Sequence, residues 1–212
     1  MSPRLILASA SPRRKQLLTR LGEPFAVMAP EVSEEVDAAA PPARAAEILA
    51  VRKAQAVARR VRRGMVIGAD TLVAVGQERI GKPRDRQDAI RILKKLSRRR
   101  QQVITGVCVL DAATGRNAVG SEVTWVTMRR MSDAEIEAYV DSGEAMGKAG
   151  AYAIQETGDR YVAKVEGDFD NVVGLPLGLV RGLLARVRGG ARSARLTPRA
   201  PPRAKRRPCD EH

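Results

Sequence analysis

The sequence predicts an α/β fold, and three observations carry that expectation. Leu5–Ala8 and Met65–Ala69 are short, wholly apolar runs with the length of buried strands. Longer segments around them space their apolar residues as helices do, and Gly or Pro falls at the junctions. No internal repeat is visible.

The elements follow in chain order. After Leu5–Ala8 comes a helix carrying Leu17, Leu18 and Leu21, with Ser11 suited to its N-cap, Pro12 to its first position and Gly22 to its stop. An acidic, Pro-rich stretch from Glu31 to Pro42 leads to an Ala-rich helix over about 43–63, with Ile48, Leu49, Ala56, Val57 and Val61 on its apolar side and Gly64 at its end. Met65–Ala69 is β-branched and apolar and delivers Asp70 at its end. The pattern runs on to Val75 and turns at Gly76 and Gln77, which reads as a hairpin. Counting back from that turn pairs Val75 with Glu78 and sets Lys82 opposite Thr71, beside Asp70. Residues 87–96 read as a surface helix, and 103–110 and 122–128 as strands joined around Gly115. Ser132 and Glu135 form a capping box for a helix through Tyr139, stopped at Gly143. Residues 147–171 read as loops and short strands near a site, and an apolar helix after Pro176 closes the fold at Val187.

Composition narrows the chemistry. The 212 residues are 44% hydrophobic and 29% charged, enough to bury a core without staples. No apolar run approaches the roughly 20 residues that span a bilayer, and the N-terminus lacks a secretory pattern, so a cytoplasmic protein with no membrane association is expected. Cys108, in an apolar run, and Cys209 allow neither a disulfide framework nor a CxxC site. The single histidine, His212, is the last residue, which argues against a Ser-His-Asp triad, a Cys-His pair or a His-ligated zinc. Carboxylates, lysines and a hard metal are left to do the chemistry.

The net charge of +14 is unevenly spread. From Arg188 onward eight Lys or Arg face Asp210 and Glu211, leaving 30 basic and 22 acidic residues in the body. The tail, residues 188–212, has no apolar periodicity and is expected to be disordered. With 3% aromatics the body offers few rings for stacking bases, whereas a basic cleft suits phosphorylated small molecules equally well.

Four groups of residues are candidates for chemistry. Arg13 and Arg14 stand in the first helical turn, where positive charge meets the positive end of the helix dipole at a cost of about 0.5 kcal/mol. Together with the hydroxyls of Ser9 and Ser11 and the free N–H groups there, they form either a phosphate clamp or a capped helix with solvated arginines. Asp70 ends a buried strand, where open α/β sheets place ligands, and needs a cation. Lys82 is that cation in a structural pair, or it binds phosphate while Asp70 ligates a metal or activates water. Lys53, on a helix face among alanines, is by default exposed. Glu31, Glu34 and Glu35 are by default a solvated loop, from which one carboxylate could complete a magnesium site with Asp70.

Taken together, seven strings resemble one family. SASPRR (Ser9–Arg14), KA (Lys53, Ala54), GADT (Gly68–Thr71), GKP (Gly81–Pro83), ITG (Ile104–Gly106), GKAGAYAIQ (Gly147–Gln155) and NVVGLP (Asn171–Pro176) stand in the order found in the Maf-like nucleotide pyrophosphatases, over residues 4–187. The resemblance implies a two-lobed α/β fold, a mixed β-sheet flanked by helices as in inosine triphosphate pyrophosphatases, filling residues 1–187 with a nucleotide cleft between the lobes. It implies hydrolysis of a nucleoside triphosphate to monophosphate and pyrophosphate, and the preference of hard cations for a few carboxylates and substrate phosphates leads us to expect Mg²⁺ or Mn²⁺ held by Asp70 and Glu34. Asp70 matches the family's general base, with Glu34, Lys53 and Lys82 beside it and Ser9, Arg13 and Arg14 on the substrate. Arg13, Thr71 and Gln155 match the branch acting on dTTP and UTP rather than the one acting on 7-methyl-GTP. Gln101, Gly147 and Ser33 depart from residues frequent in the family. The resemblance also implies a homodimer. Nucleic acid is expected to bind only weakly, through the tail; a nucleic-acid-binding protein that uses that tail, and a pyrophosphatase for 7-methyl-GTP or other modified nucleotides, are the rival readings.

Overall fold

A computed structural model describes residues 5–154 and 157–189. Gln155 and residues 190–212, which hold most of the expected tail, lie outside the described residues.

The described residues form one seven-stranded mixed sheet flanked by helices. The strands are β1 (Leu5–Ala8), β2 (Phe25–Val27), β3 (Met65–Val75), β4 (Glu78–Ile80), β5 (Arg100–Asp111), β6 (Asn117–Met128) and β7 (Val162–Glu166). Their order is β2-β1-β3-β5-β6-β7, with β4 paired to β3. β1 runs parallel to β2 and β3, and the remaining pairs are antiparallel. The helices are α1 (Pro12–Thr19), α2 (Pro42–Ala58), α3 (Arg86–Leu96), α4 (Asp133–Asp141), α5 (Phe169–Val173) and α6 (Leu177–Gly189).

Three long strands make the two lobes. The first half of β3, the second half of β5 and the start of β6 pack with α1 and α6 on one face and α2 on the other. The far ends of the same strands pack with α3 and α4 around Tyr139 and Tyr161. The lobes therefore change over in mid-strand, where Asp70 pairs with Gly106 and Thr71 with Thr105.

α2 lies unusually close to the sheet. Ala46, Ala50 and Ala54, spaced four apart on one face, are fully buried. They meet Gly68 and Gly106, where an added Cβ would lie 2.3 Å from the Ala50 carbonyl oxygen and 2.3 Å from the Ala46 carbonyl carbon. Only glycine permits that approach, and it carries Lys53 against the sheet.

Local signals act as expected at several ends. Ser11 caps α1 and Pro12 opens it. Ser132 and Glu135 make the capping box of α4. Val75 pairs with Glu78 across a turn where Gly76 has φ of +61°. Differences have physical causes. α2 stops at Ala58 rather than near residue 63, because Arg59, Arg60, Arg62 and Arg63 offer no apolar face and the chain must turn into β3. The helix over 86–96 is the expected surface helix, begun one residue earlier at Arg86, with Gln87, Arg91 and Lys94 exposed and Ala89, Ile92, Leu93 and Leu96 buried on its inner face. The last helix extends through Arg188 and Gly189, and Arg188 pairs with Glu23, so the structured body runs two residues past the expected boundary at Val187. Cys108 is a buried core thiol, pushed up to about 12 by burial.

Candidate active site

The lobes enclose a cleft of about 520 Å³. Ser9, Ser11, Arg13, Arg14, Glu34, Lys53, Asp70, Thr71 and Lys82 all line it, so every predicted site residue within the described part is brought to one place. Ile154 lines it too, directly before Gln155 in the chain.

Asp70 sits on β3, 7% exposed, and its cation is Lys53 of α2. Lys53 Nζ lies 2.5 Å from Asp70 Oδ1 and 3.1 Å from Glu34 Oε1. Lys53 is thus buried between two carboxylates rather than exposed among alanines. Lys82 differs from the expectation as well. β4 ends at Ile80, so the hairpin ladder stops before Lys82 reaches Asp70, and its Nζ instead lies 2.7 Å from Glu34 Oε2. Glu34 therefore bridges the two lysines from a loop without regular structure. Lys82 first, then Lys53, holds its carboxyl down to about 2. Main-chain carbonyls fix that loop: Arg52 donates to Glu35, and Arg79 to Val36 and Asp37.

At the other wall, β1 leads into Ser9 and α1. Ser9 Oγ accepts from Ser11 N at 3.2 Å, and Ser11 Oγ caps Arg14 N at 3.4 Å. The Arg14 guanidinium is tied in place. Its Nε donates to the Gly174 carbonyl at 2.8 Å, one terminal nitrogen to Thr71 Oγ1 at 2.9 Å and the other to Ser9 Oγ at 3.5 Å. Burial lowers its pKa, opposed by the charges of Asp70 and Glu34. Arginine keeps its charge at neutral pH regardless.

Lys148, Tyr152 and Val172 also line the cleft; they lie in the GKAGAYAIQ and NVVGLP strings but were not singled out as site residues. A signal existed in the Gly147 and Gly150 pair: both glycines have positive φ, Ala151 is held at φ of +58°, and Gly150 N donates to the Gly81 carbonyl. That bond ties the segment before Gln155 to the one before Lys82.

The site joins two carboxylates to at least four cations, an arrangement whose excess positive charge suits a polyanion. Among the described residues, no group of three or more His, Cys, Asp or Glu gathers to hold a metal by itself. Two carboxylates fit Mg²⁺-type binding, in which one or two protein oxygens are completed by water and substrate phosphate. No described helix is long and apolar enough to cross a membrane.

A family model described as Maf-like protein matches residues 4–187. The chain belongs to the Maf-like family. Its relatives within that family agree over nearly their whole length. The dTTP/UTP pyrophosphatase of Moorella thermoacetica is 48% identical over 182 residues, 86% of this chain and 94% of that protein. Those of Syntrophomonas wolfei and Ruminiclostridium cellulolyticum are 45% and 41% identical over 180 and 184 residues, covering 85% and 86% of this chain and 95% of each relative. The Maf-like strings are thereby given a shared geometry: SASPRR, KA, GADT and GKP all supply walls of the one cleft.

Proposed function

We propose that this Maf-like protein hydrolyses nucleoside triphosphates, with dTTP and UTP as preferred substrates, to the monophosphate and pyrophosphate. The observation that carries the reading is the position of Lys53, shared between Asp70 and Glu34 in the cleft that also holds the α1 N-terminus. The relatives named dTTP/UTP pyrophosphatase support the choice of bases.

In this reading the phosphates lie among Ser9, Arg13, Arg14, Lys53 and Lys82. A water oxygen forms the bond to the α-phosphorus, the bond to the α,β-bridging oxygen breaks, and pyrophosphate leaves. Asp70, whose Oδ1 is occupied by Lys53, orients that water and takes its proton. The surrounding cations stabilise charge on the departing pyrophosphate, a role in which one lost donor costs on the order of 10²-fold in rate. Asp70 and Glu34 would hold the divalent cation, Mg²⁺ or Mn²⁺, which when bound neutralises phosphate charge. Gln155, following Ile154 of the cleft wall, reads the pyrimidine edge, for which an amide offers both donor and acceptor.

A panel of UTP, dTTP, CTP, GTP and 7-methyl-GTP, assayed with Mg²⁺ and with Mn²⁺ and resolving pyrophosphate from phosphate, tests the reading. Pyrophosphate release led by UTP and dTTP is the expected result. Phosphate release, preference for 7-methyl-GTP, or no turnover with tight nucleic-acid binding would contradict it.

A further inference from the structure

Thr105 and Asn171 are fully buried polar residues that do not line the cleft. Their hydrogen bonds nonetheless lead into it. Asn171 Nδ2 donates to the Val103 carbonyl at 2.9 Å and to Thr124 Oγ1 at 3.0 Å, which fixes α5 to β5 and β6. The Asn171 carbonyl lies in the last turn of α5, where helix carbonyls lack intrahelical donors, and Thr105 Oγ1 donates to it at 3.1 Å. Thr105 and Thr71 hydroxyls are 2.9 Å apart, and Thr71 Oγ1 also receives Arg14.

Proton counting sets every direction in this chain. Arginine can only donate, and a carbonyl can only accept. Thr105 has one proton, spent on Asn171, so it accepts from Thr71. Thr71 then has no proton left for a ligand and presents an acceptor to Arg14. α5 and the turn after it therefore hold Arg14 twice: through Asn171, Thr105 and Thr71 at one terminal nitrogen, and through the Gly174 carbonyl at Nε.

We propose that Thr105 and Asn171 are positioning residues of this site, which orient the Thr71 hydroxyl and so hold the Arg14 guanidinium in one pose toward the substrate phosphates. The proposal deepens the hydrolytic reading above and rests on it. It also recasts Thr71: its effect on specificity and rate passes through Arg14, not through a hydrogen bond donated to the base.

Thr105→Val keeps shape and removes the hydroxyl, leaving Arg14's charge in the cleft but freeing its direction. Directional loss of this kind is felt mainly where charge develops, so kcat for UTP falls about tenfold while KM moves less than about twofold. Thr105→Ser restores activity to within about twofold of the parent. In an Arg14→Lys background, where no guanidinium remains to be oriented, Thr105→Val has no further effect, the non-additivity expected of one coupled unit. Thr71→Val breaks the same chain at its half-buried link and serves if Thr105→Val folds poorly in a melting assay; it too is non-additive with Arg14→Lys. Equal losses in both backgrounds, failure of a folded Thr105→Ser to recover, or full activity of Thr105→Val would each overturn the proposal. A parent protein that turns over no triphosphate counts against the hydrolytic reading instead. The same cycle is then scored by calorimetric affinity for inorganic pyrophosphate, which carries the charge the leaving group gains: a loss on Thr105→Val that vanishes in the Arg14→Lys background supports the positioning role, and an equal loss in both backgrounds, or none in either, overturns it.

Discussion

Lys53 Nζ and Asp70 Oδ1 are 2.5 Å apart at the change-over between the lobes, and each side chain is only about a tenth exposed. A buried ion pair repays its desolvation poorly, so it is weak evidence for stability and better explained by what it positions. Here it sets a carboxylate beside a row of phosphate-binding cations. Asp70 and Glu34 offset the charges of Lys53 and Lys82, and Arg13 and Arg14 on the same cleft leave an excess of positive charge that suits an anion.

The closeness of α2 to the sheet gives one prediction. Gly106→Ala would drive a methyl group into the Ala46 backbone, which has no side-chain freedom to yield. Overpacking of this kind costs about 1–3 kcal/mol, and the shift of α2 moves Lys53 off Asp70. Urea denaturation and UTP turnover should therefore both worsen. Unchanged stability would show that α2 can lift without penalty.

Glu34 supplies a pH dependence. Its carboxyl is held at about 2 in the folded protein against an ordinary value of 4.5. A depressed folded value means that the stabilisation is fully present above the ordinary value and is lost as pH falls toward about 2. The melting temperature of the parent should exceed that of Glu34→Gln above pH ~4.5 and converge on it toward pH ~2. The side chain is half exposed, so the difference is small. A gap that widens on acidification would contradict the ion-pair assignment.

Specificity and charge separate by mutation. Gln155→Ala removes an amide whose unpaired partner costs about 1–3 kcal/mol, so kcat/KM for UTP and dTTP should fall roughly 5- to 150-fold while poor substrates lose much less. Lys82→Ala should depress all triphosphates alike, because a phosphate contact carries no information about the base. Equal losses across UTP, dTTP, CTP and GTP for Gln155→Ala would assign that residue a structural role.

Much of this was legible in the sequence, for local reasons. Asp70 on a buried strand, the turn at Gly76 and the Ser11 and Ser132 caps all depend on neighbours within a few residues, although β3 runs on through Asp70 to Val75 instead of ending at it. The burial of Lys53 was not legible from its own neighbours, because it depends on Gly68 and Gly106, on two strands that only the tertiary fold brings under α2. The alanines at 46, 50 and 54 recorded that close packing without naming the partner. β2 and β7 escaped notice because a three-residue strand and the half-exposed run Val162–Glu166 take their pairing from β1 and β6 rather than from their own pattern. The path from Asn171 to Arg14 joins residues far apart in the chain and left no periodic trace.

The most direct test of the central claim is pyrophosphate release from UTP by Asp70→Asn, measured beside its thermal melt. The substitution keeps size and removes the charge, and Lys53 retains Glu34, so the fold should persist. A cooperative melt with turnover reduced below detection is the expected result. A folded Asp70→Asn protein that releases pyrophosphate at near the parent rate would remove Asp70 from the chemistry.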